Sequence, residues 1–164
     1  MRLAEYTDYT LRVLMYCAAR PQQLVTIGEL AEHHRVSKNH LMKIVNDLAR
    51  QGMVETTRGR GGGLRLMKDA EQIRVGDVVR ASETDFRLVE CFDPATNQCT
   101  LSPSCRLKGL FNGALKAYFK ELDGMTLAEL STPASPSPAA LPRVAAPVSR
   151  RPPPAKPTGG QPED

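Results

Sequence analysis

The stretch "TIGELAEHHRVSKNHLMKIVNDLARQGMVETTRGRGGGLRL", Thr26 to Leu66, constrains the fold of this chain more than any other part of it. Thr26 followed three residues on by Glu29 is a capping box, and it opens a short helix whose inner face is Ile27, Leu30 and Ala31. Val36 closes that helix. Ser37 can cap a second one, in which Leu41, Ile44, Val45 and Leu48 face inward until Gly52 stops it. Two short helices on a tight connection form either a helix-turn-helix or an ordinary helical hairpin with a solvated charged face. The residues after Gly52 decide between them. "MVETT" reads as a strand, "RGRGGG" as a turn and "LRLM" as a returning strand, so a basic β-hairpin comes directly after the second helix. That order is a winged helix-turn-helix.

The predicted second helix exposes Lys38, Asn39, His40 and Lys43 near its start, beside Ser37. These donors and acceptors suit base edges and phosphates in a major groove. The hairpin supplies Arg58, Arg60 and Arg65 for phosphates or a minor groove. A glycine-rich run can also cradle a nucleotide, but no GK[ST] follows and no helix opens after it, which excludes a P-loop. Charge follows the same division. Residues 35–68 carry eight Lys or Arg against Asp47 and Glu55, whereas residues 69–93 carry seven acids against three Arg. A basic block followed by an acidic one fits a reading module with a separate control segment. The net charge of +4 permits a polyanionic partner without requiring one.

Outside the module, periodic Leu11, Leu14, Met15 and Ala18 predict a helix over Thr7–Ala19, with Asp8 in its first turn where a carboxylate suits the helix dipole. Cys17 on that helix reads as a small buried hydrophobe. "RVGDVVRASE" predicts a further helix. From Ser102 as N-cap and Pro103 at the first helical position, a long helix carries a stripe of Leu107, Leu110, Phe111, Ala114, Leu115, Tyr118 and Leu122. So wide an apolar face outside a small module predicts pairing with a second copy, and a homodimer reads two half-sites of a palindromic double-stranded operator. After Leu130 the composition changes. Ten of the thirteen prolines lie in residues 131–164, with no aromatic residue, and this segment is expected to be disordered. Its Pro-Pro-Pro run could instead serve a proline-binding partner. The N-terminus has no continuous apolar run, so no signal peptide and no membrane span are expected, and the chain is placed in the cytoplasm.

Reduced thiols are the rule there, so three cysteines spaced Cys91-x7-Cys99-x5-Cys105 point away from disulfides. They match neither paired CxxC zinc knuckles nor a CxxC redox motif. Cys105, expected at the third position of its helix, would have its thiolate favoured by the helix dipole. An iron–sulfur cluster, zinc, a thiol switch and a structural role all stay open on spacing alone, with soft sulfur donors favouring the cluster. An iron–sulfur electron carrier is the rival from another class, but such a protein needs no groove-reading surface.

The segments "YTDYTLRVL" (6–14), "VSKNHLMKIVNDLARQGMVETTRGRGGGLRL" (36–66), "CFDPATNQCTLSPSCRLKGLF" (91–111) and "DGMTLAEL" (123–130) resemble, in order, the cysteine-containing winged-helix regulators that sense through iron–sulfur clusters. Members with a 2Fe–2S cluster carry a histidine ligand three residues past the third cysteine. This chain has Lys108 there and is more similar to the nitric-oxide-sensitive repressors of the group. That resemblance implies a 4Fe–4S cluster on Cys91, Cys99 and Cys105, with Asp8 of the other protomer as an oxygen ligand. It implies a regulator, not an enzyme, which nitric oxide releases from DNA. The expected fold is mainly α with a small β-hairpin, a winged helix-turn-helix plus a long dimerisation helix. Its parts are a DNA-binding domain over 1–84, a cysteine sensor loop over 85–106, a dimerisation helix and domain end over 107–130, and the tail over 131–164.

Overall fold

A computed structural model describes residues 2–101 and 105–132. The expectations for the proline-rich tail, and for Ser102 and Pro103 as a helix start, lie outside the described residues. The first helix, α1 (Glu5–Ala18), starts two residues before Thr7 and ends one before Ala19. Its earlier start has a long-range cause. Glu83 accepts a hydrogen bond from the Ala4 N–H at 3.1 Å and another from the Thr7 hydroxyl at 2.8 Å, satisfying donors that no local side chain caps. Thr7 and Thr10 are accordingly buried, and Thr10 donates back to the Tyr6 carbonyl at 2.7 Å.

Helices α2 (Ile27–His34) and α3 (Lys38–Arg50) form the helix-turn-helix. Both bonds of the Thr26–Glu29 capping box are made, and Ser37 accepts from the His40 N–H at 3.3 Å. Arg35 takes the left-handed conformation in the turn, with φ 55°, and is the one non-glycine residue with positive φ among the described residues. Leu41, Ile44, Val45 and Leu48 are all buried. They pack with Leu14, Leu30, Val54 and Leu64 into one core. Truncating any of these leucines to alanine is worth about 2–5 kcal/mol.

Strands β1 (Val54–Thr57) and β2 (Gly63–Leu66) pair antiparallel, with Val54 opposite Leu66 and Thr57 opposite Gly63. Val25 and Leu64 exchange two further hydrogen bonds of 2.8 and 2.9 Å, which fasten the hairpin to the chain before α2. The fit requires glycine at position 63, where a Cβ would lie 2.7 Å from the Val25 carbonyl oxygen. Helix α4 (Val75–Ser82) buries Val75, Val78 and Val79.

The long helix α5 spans Arg106–Gly124, and Cys105 is its N-cap. This corrects the expected position of Cys105, which stands just outside the helix, not at its third residue. None of the residues of α5 is buried, and Leu107 and Leu110 are 53% and 67% exposed. A last short helix, α6 (Leu127–Ser131), turns back onto the core through buried Leu127, with the Leu127 N–H bonded to the Ile73 carbonyl at 2.8 Å. Among the described residues, no helix is long and apolar enough to cross a membrane.

Candidate DNA interface and cysteine loop

Helix α3 is held from behind by α1. The Tyr6 hydroxyl donates to Asp47 at 2.5 Å, and Asp47 also pairs with Arg50. Burial raises the Tyr6 pKa, against the pull of the Arg50 charge, so the hydroxyl stays a donor. The Tyr9 ring meets His40 edge-on at 5.4 Å. Asp47, an acid on a basic helix, is therefore an anchor to α1. The exposed residues of α3 are Lys38, Asn39, Met42, Lys43, Asn46 and, at its end, Arg50. Lys38, Asn39 and Lys43 stand where the sequence placed them. His40 is half-buried against Tyr9, and the Ser37 hydroxyl is engaged as the cap. Met42 and Asn46 were missed, although spacing of four from Lys38 puts all three on one row.

On the hairpin, Arg65 pairs across the strands with its register partner Glu55. Arg58 and Arg60 lie on the exposed turn, without an ion-pair partner among the described residues. Gly59 and Gly61 take φ of 98° and 79°, which lets so short a turn close. Two arginines at a glycine-rich tip, beside an exposed polar helix face, form a surface that can enter DNA grooves.

The cysteine segment lies between α4 and α5. Cys91 is buried on a single 3-10 turn, Glu90–Phe92, whereas Cys99 and Cys105 are half-buried, and all three are free thiols. Short polar contacts shape the loop between them. Glu90 accepts from the Gln98 N–H at 2.6 Å, Asn97 from the Cys99 N–H at 3.0 Å, and Arg87 joins Asp85 to Asp93. Among the described residues, no three His, Cys, Asp or Glu side chains come together as a metal site, so the single chain does not assemble Cys91, Cys99, Cys105 and Asp8 into one. Asp8 sits on the outer side of α1, half-exposed, in an ion pair with Arg12 at 2.7 Å. Cys17 is different. It is 2% exposed in the core, and burial pushes its thiol up to about 12, outweighing the opposing charge of Arg20. It is a neutral packing residue, as its place on the helix implied.

Two further contacts, both invisible to local pattern, join the loop's flanks to the module. Arg80 on α4 grips Asp123 on α5 through two bonds of 2.6 and 2.7 Å and stacks over Phe119, 4.3 Å from the ring centre. The mutual contact raises the Arg80 pKa and lowers that of Asp123. Gly76 makes the space, since a Cβ there would fall 1.9 Å from the Asp123 carboxylate. Glu83, at the end of α4, is the residue that caps α1.

A helix-turn-helix followed by an arginine-tipped hairpin defines a winged-helix DNA-binding protein. The chain belongs to the Rrf2 family, whose model, described as an iron-dependent transcriptional regulator, matches residues 3–133. It is a transcriptional regulator and not an enzyme. The HTH-type transcriptional regulator NsrR of Bacillus subtilis (strain 168) is 53% identical over 131 residues, covering 79% of this chain and 90% of that protein. NsrR of Shouchella clausii (strain KSM-K16) is 45% identical over 131 residues, covering 79% and 88%. Among solved structures, the oxidized form of Staphylococcus aureus CymR superposes with a TM-score of 0.66 at 26% identity, covering 82% of this chain and 99% of that one. T. potens IscR shares the fold, with a TM-score of 0.63 at 21% identity over 79% and 85% of the two chains.

Proposed function

We propose that this chain is a homodimeric repressor that acts in the cytoplasm, holds a palindromic operator while it carries an iron–sulfur cluster, and lets go when nitric oxide reaches that cluster. The observation that carries the reading is the cysteine segment itself. Three free thiols sit on one loop between the α4 cap and α5, in a chain 53% identical to an NsrR, while the fourth thiol is sealed in the core. The donor set fits. Cys91, Cys99 and Cys105 offer the soft sulfur that an iron–sulfur cluster takes, and Asp8, half-exposed on α1, offers an oxygen to a partner protomer's loop. A 4Fe–4S cluster is the form proposed, because Lys108 stands where a histidine would serve a 2Fe–2S one. When bound, the cluster supplies irons that react with nitric oxide.

The remaining steps belong to this chain's side chains. Leu107 and Leu110 present an apolar face on α5 that a second copy would cover. Arg80 and Asp123 fix α5 to α4. Glu83 fixes the end of α4 to the start of α1, and Tyr6 fixes α1 to α3. Movement of the cysteine loop therefore has a route of direct contacts to the reading helix. In this division residues 1–84 read DNA, 85–106 sense, and 107–130 pair the protomers. The test is iron and acid-labile sulfide analysis of anaerobically purified protein, followed by operator binding before and after nitric oxide. Protein with zinc, or with bare thiols and full operator affinity, would replace the cluster reading with a metal or thiol switch.

A further inference from the structure

The outward row of α3 holds one residue that a purely polar reading surface leaves unused. Met42 is 45% exposed at the centre of the row, with Lys38 one turn before it and Asn46 one turn after, and with exposed Asn39 and Lys43 beside it. A single apolar side chain on a surface needs no cause in general. Met42 differs in its place, the fifth residue of the second helix of a helix-turn-helix, in the part that lies along base edges. Its exposed neighbours there are all hydrogen-bonding groups, and nearly half of this thioether residue stays open to solvent among them.

The major groove displays one apolar group, the thymine C5-methyl. An unbranched, adaptable side chain suits contact with a methyl whose height varies with local DNA shape. We propose that Met42 is a specificity-determining residue that reads a thymine methyl in each half-site of the operator. Residues four apart on a helix are separated by about 6 Å along its axis, close to two base-pair steps of about 3.4 Å. The thymine read by Met42 therefore lies within about two base pairs of the bases met by Lys38 and Asn46. Anchoring of α3 by Tyr6 to Asp47 and by Tyr9 against His40 gives the side chain a fixed base from which to discriminate.

This inference rests on the operator-binding reading above and is tested separately from it. Anaerobically purified full-length protein selects duplexes from a random-sequence pool, and each thymine of the selected duplex is then replaced by deoxyuridine, which lacks only the methyl. At one thymine per half-site, loss of the methyl should weaken binding about fourfold, equivalent to about 0.8 kcal/mol for one buried methyl-sized group. In Met42→Ala and Met42→Gln that position should become indifferent to the methyl, while Met42→Leu keeps part of the effect and Asn46→Ala keeps all of it. If every thymine responds alike in the parent and in Met42→Ala and Met42→Gln, Met42 reads no methyl. If the parent enriches no sequence at all, operator binding itself fails and this inference goes with it.

Discussion

Gly62 offers a test of the wing that leaves the core untouched. A Cβ at this position would lie 2.2 Å from the Thr57 carbonyl oxygen and 3.0 Å from that of Gly59, and both are backbone atoms that no side-chain rotation can clear. Gly62→Ala must therefore open the turn. The local cost is the bond from the Gly62 N–H to the Gly59 carbonyl, 3.0 Å in length, worth about 1 kcal/mol. The tip is exposed and carries none of the core, so the melting temperature should fall by no more than roughly 2–5 °C. Operator binding should suffer far more, because Arg58 and Arg60 ride on that turn. Displacing one base-level contact costs about 1–3 kcal/mol, and removing one arginine from a phosphate lowers the salt slope by about 0.9. The expectation is binding about tenfold to hundredfold weaker by fluorescence anisotropy, with a shallower dependence on salt. Gly61→Ala is the graded comparison, since it meets open space and strains only a φ of 79°. A Gly62→Ala protein that matched the parent in affinity at every salt concentration would show that the wing tip does not touch DNA.

Replacing Cys91, Cys99 or Cys105 with alanine should abolish visible cluster absorbance, whereas Cys17→Ala should keep it; loss in the Cys17 variant with the fold intact reverses the assignment. The Cys17 thiol should resist alkylation at pH 8 until the chain unfolds. Its pKa is raised on folding from 9.0 to about 12, so the protonated thiol stabilises the fold fully below pH 9 and that contribution is lost as pH rises from 9 towards 12, a trend that Cys17→Ala should flatten in denaturant melts. Asp8→Ala should still assemble a cluster on three thiolates, with a changed spectrum and a changed coupling to DNA; identity with the parent in spectrum, nitric-oxide response and affinity rules Asp8 out. Tyr6→Phe removes a part-buried bond to a carboxylate, of about 1–2 kcal/mol, and should reduce the affinity difference between cluster-loaded and cluster-free protein; an unchanged difference means the bond only supports the fold.

The helix-turn-helix and wing were legible because their signals are local. Thr26 with Glu29, Ser37, the 41–44–45–48 stripe, Gly52 and the glycine-rich turn each act within a few residues of where they stand, and each stands in place. What the sequence hid lies across long separations. Glu83 caps α1 from 79 residues away, so local pattern starts α1 too late. Arg80 clasps Asp123 from 43 residues away, and the glycine that admits the carboxylate looks ordinary in "RVGDVV". At the start of α5 the described departure is that of Cys105, expected at the third helical position and found at the N-cap. The candidate cluster ligands were visible as residue types, but the described residues of the single chain do not bring them together, as the proposal of a ligand from a second protomer requires.

The bonds around α1 also predict which half of the DNA interface should respond to the cysteine loop. Three ties converge on the first turn of α1. Glu83 bonds the Ala4 N–H and the Thr7 hydroxyl, Tyr6 bonds Asp47 of α3, and Asp8 is the proposed oxygen ligand. One helical turn is only about 5.4 Å long and moves as a unit, so a shift imposed at Glu83 or Asp8 reaches Asp47 directly. The base of the wing shares the core with α1 and α3 through Val54 and Leu64, and Leu64 also bonds Val25, but Arg58 and Arg60 at its tip bond to none of the residues around the first turn of α1. Loss of the cluster should therefore disturb base reading by α3 while leaving much of the arginine contribution in place. In binding measurements, affinity for the selected operator should fall steeply on cluster loss, while affinity for random-sequence duplex and its salt slope change little. Equal losses on both duplexes would mean that the signal acts through dimer dissociation or global loosening, not through α1 and the reading helix.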